Sequence, residues 1–238
     1  MEAEPLMEAM PTSSTPAARR VRAKAPPQSA SAAPEREEDS SKKRIFEAAR
    51  REFADKGLAG ARTDEITARA RSNKRMLYYY FSSKEDLYLA VLEDAYIDMR
   101  RREAALQLSE LEPVEALTRL VEFKFDYCEQ NPWLIGLLSG ENLLGAQHLR
   151  RSKRLEEVHS SLVKTMADLL AKGARQGVFR TGVDPLELYV SIAGLSHFYF
   201  SNSATLSTAF RKDLTSPPAK KRRRKHVVDV ILGYLRPE

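Results

Sequence analysis

The chain has a single cysteine, Cys128, among 238 residues. No disulfide can close within it, and a reducing cytoplasm is the expected compartment. Histidine is almost as scarce: His148, His159, His197 and His226 show no metal-ligand spacing, and one thiol builds no thiolate zinc site. No stretch approaches the roughly 18 consecutive apolar residues of a membrane-spanning helix, and the first residues lack the apolar core of a signal peptide. Glycine, at 10 residues, forms no phosphate-binding loop, dinucleotide fingerprint or GxSxG elbow. An enzyme, a metal site and a cofactor are therefore not expected. Gly136 and Gly140 share GxxxG spacing, but their segment is short and polar-flanked, unlike a membrane dimer motif. Strand-like alternation and hairpin signals are also missing, which leaves an all-α fold.

What is present fits a helical globular protein with a polyanion partner. Hydrophobic residues make up 42% and charged residues 30%, and the net charge of +6 favours nucleic acid without proving it. The length suits one large or two modest domains. Residues 1–40 are rich in Pro, Ala, Ser and Glu, with few large apolar groups to offset the entropy of ordering. They read as a mobile arm. Arg19, Arg20, Arg22 and Lys24 within it either track phosphates or are simply solvated, and both readings stay open.

Residues 41–88 carry the sharpest signal. Ile45, Ala48, Ala49, Phe53 and Leu58 keep a helical period. Gly57 is the expected stop of that helix, because glycine takes a left-handed cap conformation without strain. Thr63 offers a cap hydroxyl for a second helix holding Ile66 and Ala70 inward. After a turn at Arg71 and Ser72, Asn73 is placed to cap a third helix with Leu77 and Phe81 inward. Lys74 and Arg75, at its start, suit guanine acceptors in a major groove. Tyr79 and Tyr80 suit phosphates, to which stiff rings present hydroxyl donors. Tyr78, Tyr79 and Tyr80 span about 200 degrees of helix, so they cannot all be buried. Ser82 and Glu85 have capping-box spacing, so a new helix starts at once, with Lys84 inside the box. Two short helices joined by a turn, the second basic at its N-terminus, is the helix-turn-helix pattern.

Residues 89–238 read as a second, helical domain. Helices are predicted from about 83 to 108, from Pro113, from Pro132, from about 149 to 172, from Asp184-Pro185, and from near Pro218 to Leu235. Lys220 to Lys225, KKRRRK, disfavours a helix start through charge repulsion with the helix dipole. It reads as loop or as a solvated first turn. Phe123, Tyr127, Trp133, Glu141, Asn142, His197 and Phe198 combine aromatic walls with a few polar groups, as a small-molecule pocket requires. Any one of them taken singly reads better as an ordinary core or surface residue.

The string LYYYFSSKEDLY, Leu77 to Tyr88, and its surroundings over roughly residues 42–92 resemble the tetracycline-repressor (TetR/AcrR) class of bacterial regulators. The resemblance implies that Thr63, Lys74, Arg75, Met76, Tyr78, Tyr79, Tyr80 and Lys84 lie near DNA. It departs in the turn, where the family has glycine and this chain has Arg71. Residues 113–236 are similar to the effector and dimerisation domain of the branch that includes the pyrimidine-utilisation repressor. That likeness implies a homodimer built on the last two long helices. The expectation is a cytoplasmic repressor that binds a palindromic double-stranded DNA operator as a homodimer and is released by a small-molecule effector. The alternative is a constitutive or architectural DNA-binding protein with no effector.

Overall fold

The computed structural model describes residues 32–237. Arg19, Arg20, Arg22 and Lys24 of the arm lie outside them. The described residues form nine α-helices and no strand: α1 (Ala32–Gly60), α2 (Thr63–Arg69), α3 (Lys74–Phe81), α4 (Lys84–Ala104), α5 (Pro113–Gln130), α6 (Pro132–Leu143), α7 (Arg154–Arg175), α8 (Pro185–Phe210) and α9 (Pro217–Tyr234). Short 3-10 turns sit at Leu108–Glu110 and Leu149–Arg151. Because α1 begins at Ala32, residues 32–40 are helical and not part of an arm.

Local chemistry explains most boundaries. Prolines at the first turn open α5, α6, α8 and α9, where a missing N–H costs nothing. The Asp184 carboxylate accepts from the Glu187 amide at 2.9 Å and caps α8. Gly57, at φ 65° and ψ 177°, interrupts the long helix of α1 where a stop is expected, and a short helical segment beyond it reaches Gly60. A side chain at Gly57 would meet no neighbour, so the left-handed backbone alone requires glycine there. Two caps differ from expectation by one residue. Thr63 is already inside α2, whose cap position is Arg62 without a side-chain bond. The Ser82–Glu85 box does not form; Ser83 caps α4 by accepting from the Asp86 amide at 2.9 Å. Ser82 instead turns the corner at φ 47°.

Two apolar cores result. The first joins Ile45, Ala49 and Phe53 of α1 to Ile66, Leu77 and Leu87, and continues along α4 through Leu92 and Ala95. It also takes Leu134 and Leu137 of α6, so the first core runs well past residue 88. Gly136 makes this possible: a Cβ there would stand 2.2 Å from the Ala54 carbonyl oxygen. The Gly136 spacing thus serves α6–α1 packing within one chain. The second core gathers Leu117, Leu120 and Phe125 of α5, Met166 of α7, Ile192 of α8 and Ile231 of α9.

The KKRRRK run is helical and not loop; Lys221, Arg222 and Lys225 are solvated, while Lys220, Arg223 and Arg224 are half-buried. Arg224 clasps Asp126 of α5 through two bonds of 2.7 and 2.8 Å and reaches Glu122. Lys220 meets Glu129 at 3.2 Å. The acidic face of α5 offsets the repulsion that the run would otherwise impose on the start of α9.

Candidate nucleic-acid interface and cavity

The α2–turn–α3 unit is held from behind and left open in front. Leu77 and Phe81, four residues apart, are sunk in the first core at 0% and 9% exposure. Asn73 caps α3 by accepting from the Met76 amide at 2.9 Å. Arg71 takes φ 49° in the turn, the left-handed position that glycine fills more cheaply. The turn closes with Ser72 N–H donating to the Thr67 carbonyl at 2.9 Å. Arg44 of α1 braces it by donating to the Ala70 carbonyl at 3.1 Å.

The residues expected near DNA fall into two groups. Arg75, Tyr78 and Tyr79 are exposed, Tyr79 at 69%. Lys74 is exposed and pairs with Asp64 at 2.8 Å; the bond to Lys74 holds the Asp64 carboxyl below its ordinary range. Met76 and Tyr80 are half-buried against the first core. The Lys84 ammonium donates to the Leu58 and Ala61 carbonyls at 2.8 and 3.1 Å. It therefore ties the start of α4 to the end of α1, a structural duty that its sequence position did not suggest. Thr63, Tyr78 and Lys84 meet in one groove between the beginnings of α2 and α4. Arg62, exposed in that groove, escaped the sequence reading although it precedes Thr63 directly.

The residues expected to form a pocket are dispersed. Phe123 and Tyr127 sit together on α5, ring centroids 5.7 Å apart, in a shallow groove with Arg102 and Arg224. Tyr127 is buried and donates to Asp98 at 3.1 Å; burial and that carboxylate raise its pKa. Trp133 lies under the Arg50 guanidinium, 4.7 Å away, where α6 meets α1. Glu141 is buried, accepting from the His148 and Leu149 amides at 2.8 and 3.0 Å. Asn142 is exposed on α6. His197 is half-buried on α8, where burial lowers its pKa, and Phe198 beside it is 55% exposed. The seven do not converge, because their helices point them into different interfaces.

A cavity of about 440 Å³ lies elsewhere, between the end of α4, the Leu108–Glu110 turn and α7. Leu108, Leu162 and Leu169 supply apolar wall, and Arg100 and Glu103 line its inner side. Behind them stands a buried polar cluster. Glu103 accepts from Arg100 and, at 3.2 Å, from Lys124 of α5; the Tyr189 hydroxyl of α8 accepts from Arg100 and, at 2.6 Å, from Lys124. The sequence held a signal for this site. Glu103 follows Met99 by one turn, and Lys124 follows Leu120 by one turn, so charges occupy the apolar stripes of both helices. Among the described residues no group of three His, Cys, Asp or Glu side chains is gathered for a metal, and no helix is long and apolar enough to cross a membrane.

Comparison with known proteins gives a consistent picture. Residues 45–91 match the bacterial regulatory proteins of the tetR family, and residues 113–231 match the tetracyclin repressor-like C-terminal domain. The HTH-type transcriptional repressor NicS of Pseudomonas putida is 36% identical over 198 residues, 83% of this chain and 93% of NicS. The HTH-type transcriptional regulator RutR of Escherichia coli K12 is 28% identical over 158 residues, 66% of this chain and 73% of RutR. A transcriptional regulator from Saccharomonospora viridis, solved in complex with choline, superposes with a TM-score of 0.64 at 22% identity. It covers 83% of this chain and 98% of its own.

Proposed function

From the premise that this chain belongs to the TetR family of bacterial regulatory proteins, we propose that it is a cytoplasmic homodimeric repressor released by a small molecule. Each subunit reads half of a palindromic operator, since a twofold dimer presents two equal heads. Arg75 reaches base edges; Lys74, Tyr78 and Tyr79 contact bases or phosphates; Thr63, Arg62 and Lys84 border the groove that faces the backbone. The α8 and α9 surfaces pair across the dimer axis. Leu186, Val190 and Phe198 of α8 and Val230 and Tyr234 of α9 are exposed in the single chain, and a partner would cover that apolar area.

The observation that carries the sensor reading is α4. Its first residues follow directly on α3, and its last turns, Arg100 to Ala104, line the cavity. A continuous helix of 21 residues, roughly 30 Å long, therefore joins the reading head to the cavity. A ligand that prefers one tilt of α4 shifts the spacing of the two heads by its differential affinity. The seven dispersed residues are not part of this proposal.

Two measurements test it. Arg75→Ala should cost about 1 to 3 kcal/mol of operator affinity and relax preference at one base pair. Equal weakening on every sequence would remove Arg75 from readout. A ligand that weakens operator binding must itself bind the operator complex more weakly by the same factor. Matched calorimetric affinities for free and DNA-bound protein, across ligands that bind the cavity, would favour the constitutive repressor.

A further inference from the structure

This inference rests on the reading of the cavity beside α4 as the effector site, and names the chemistry of what enters it. Arg100, Glu103 and Lys124 are 8%, 4% and 3% exposed. Arginine stays protonated at any working pH, and the Lys124 ammonium is ion-paired with Glu103 at 3.2 Å, so two buried cations share one buried carboxylate. Tyr189 accepts from both cations but brings no negative charge while it remains a phenol. The remaining charges on the cavity wall do not redress the balance. Asp168 shares the wall with two bases, Lys172 and Arg175, and Lys172 is bound to the Leu111 carbonyl and to Glu112. Two buried polar atoms also lack partners, Arg100 Nε and Glu103 Oε1.

A buried charge without its counter-charge is expensive. Here the uncompensated charge is positive, stands at the inner end of a cavity of about 440 Å³, and faces apolar wall from Leu108, Leu162 and Leu169. We propose that the cavity takes a small organic acid. Its carboxylate pairs with Arg100 and, behind it, Lys124; an O–H or N–H donor on its body serves Glu103; its apolar part lies on the three leucines. A neutral ligand would leave the excess charge in place, and a cation would add to it. Selection is therefore by the ligand's negative charge.

The test uses the full-length protein with benzoate, 4-hydroxybenzoate and hexanoate, each beside its primary amide, followed by thermal shift and calorimetry. At least one acid should raise the melting temperature, and its amide should bind about tenfold or more weakly. Lys124→Met leaves Arg100 and Glu103 as a balanced pair. That variant should melt no lower than the wild type, yet lose about tenfold or more in acid affinity. Arg100→Met, with Lys124 and Glu103 balanced, provides the second reading should the first variant fold poorly. Equal binding of acids and amides, no binding by any acid, or undiminished acid binding by both variants would overturn the assignment. Operator binding, on a duplex that the protein itself selects from random sequence, separates this idea from its premise. An acid that binds the cavity without weakening the operator complex keeps the acid site and removes the sensor reading. A neutral compound that releases the operator from a protein that binds no acid keeps the sensor and removes the acid site.

Discussion

Two buried glutamates, Glu52 under the reading head and Glu103 in the second domain, are treated in opposite ways. Glu52, beneath the reading head, is fully buried, but its cations come from outside. Lys56 at 2.7 Å and Arg69 at 3.6 Å are each nearly half exposed, and the Arg62 amide adds a bond at 3.4 Å. Water screens the outer ends of those cations, so the local charge need not balance. Glu103, in the second domain, has both cations buried with it. Screening there is weak, and the surplus positive charge has to be carried by the fold or met by a ligand. Glu52 Oε2, like Glu103 Oε1, has no hydrogen-bond partner, but its cations reach solvent, and only in the second domain does the surplus charge ask for the proposed ligand.

The largest expected effect lies in the second domain. Glu103→Gln would leave Arg100 and Lys124 buried with no counter-charge, at a cost of about 3 to 5 kcal/mol. Chemical denaturation would read it. A loss no greater than that of the matching change at Glu52 would erase the contrast between the cores.

Glu52→Gln should cost less, about 1 to 3 kcal/mol, because the freed cations turn to water. This effect also has a pH signature. Desolvation pushes the Glu52 carboxyl up, but the Lys56 bond, the Arg62 amide and the two positive charges outweigh it and bring the pKa below the ordinary 4.5. A carboxylate lowered on folding contributes stability that is full above its unfolded pKa and is lost as pH falls through the folded one. Wild type and Glu52→Gln should thus differ at neutral pH and converge in acid, below pH 4.5. A gap that persists or widens in acid would contradict the lowered pKa.

The smallest effect sharpens the picture of the head. Arg71→Gly should relieve roughly 1 kcal/mol of backbone strain at φ 49°, partly offset by the greater freedom of the unfolded chain. Stability should hold level or rise slightly in the same denaturation assay, and a clear loss would show that the Arg71 side chain supports the turn.

The head was legible because its determinants are local. The apolar period of α1, the Asn73 cap and the Leu77–Phe81 pair all follow from neighbours within a turn or two. The errors were local as well. Adjacent serines at 82 and 83 both offer a cap hydroxyl, and only the φ of 47° at Ser82 decides between them. Thr63 lost the cap position to Arg62 because the helix began one residue early. The pocket residues failed for another reason. Trp133 and Glu141 have the right chemistry, but α6 turns them toward α1 and His148, and no periodicity records which neighbour a helix will meet.

By itself, then, the sequence determined the helical class, the order of the helices, the Asn73 and Asp184 caps, the opening prolines, and the basic, tyrosine-rich face that marks a nucleic-acid reader. These depend on contacts a few residues apart, where the helical repeat makes spacing into geometry. Tertiary structure alone decided that α6 joins the first core, that Lys84 is tied down, that Arg224 reaches across 98 positions to Asp126, and that two cations close on Glu103 beside a cavity. Those outcomes depend on which faces meet in space, and burial then gives each misplaced or well-placed charge an energy that its sequence neighbours do not reveal.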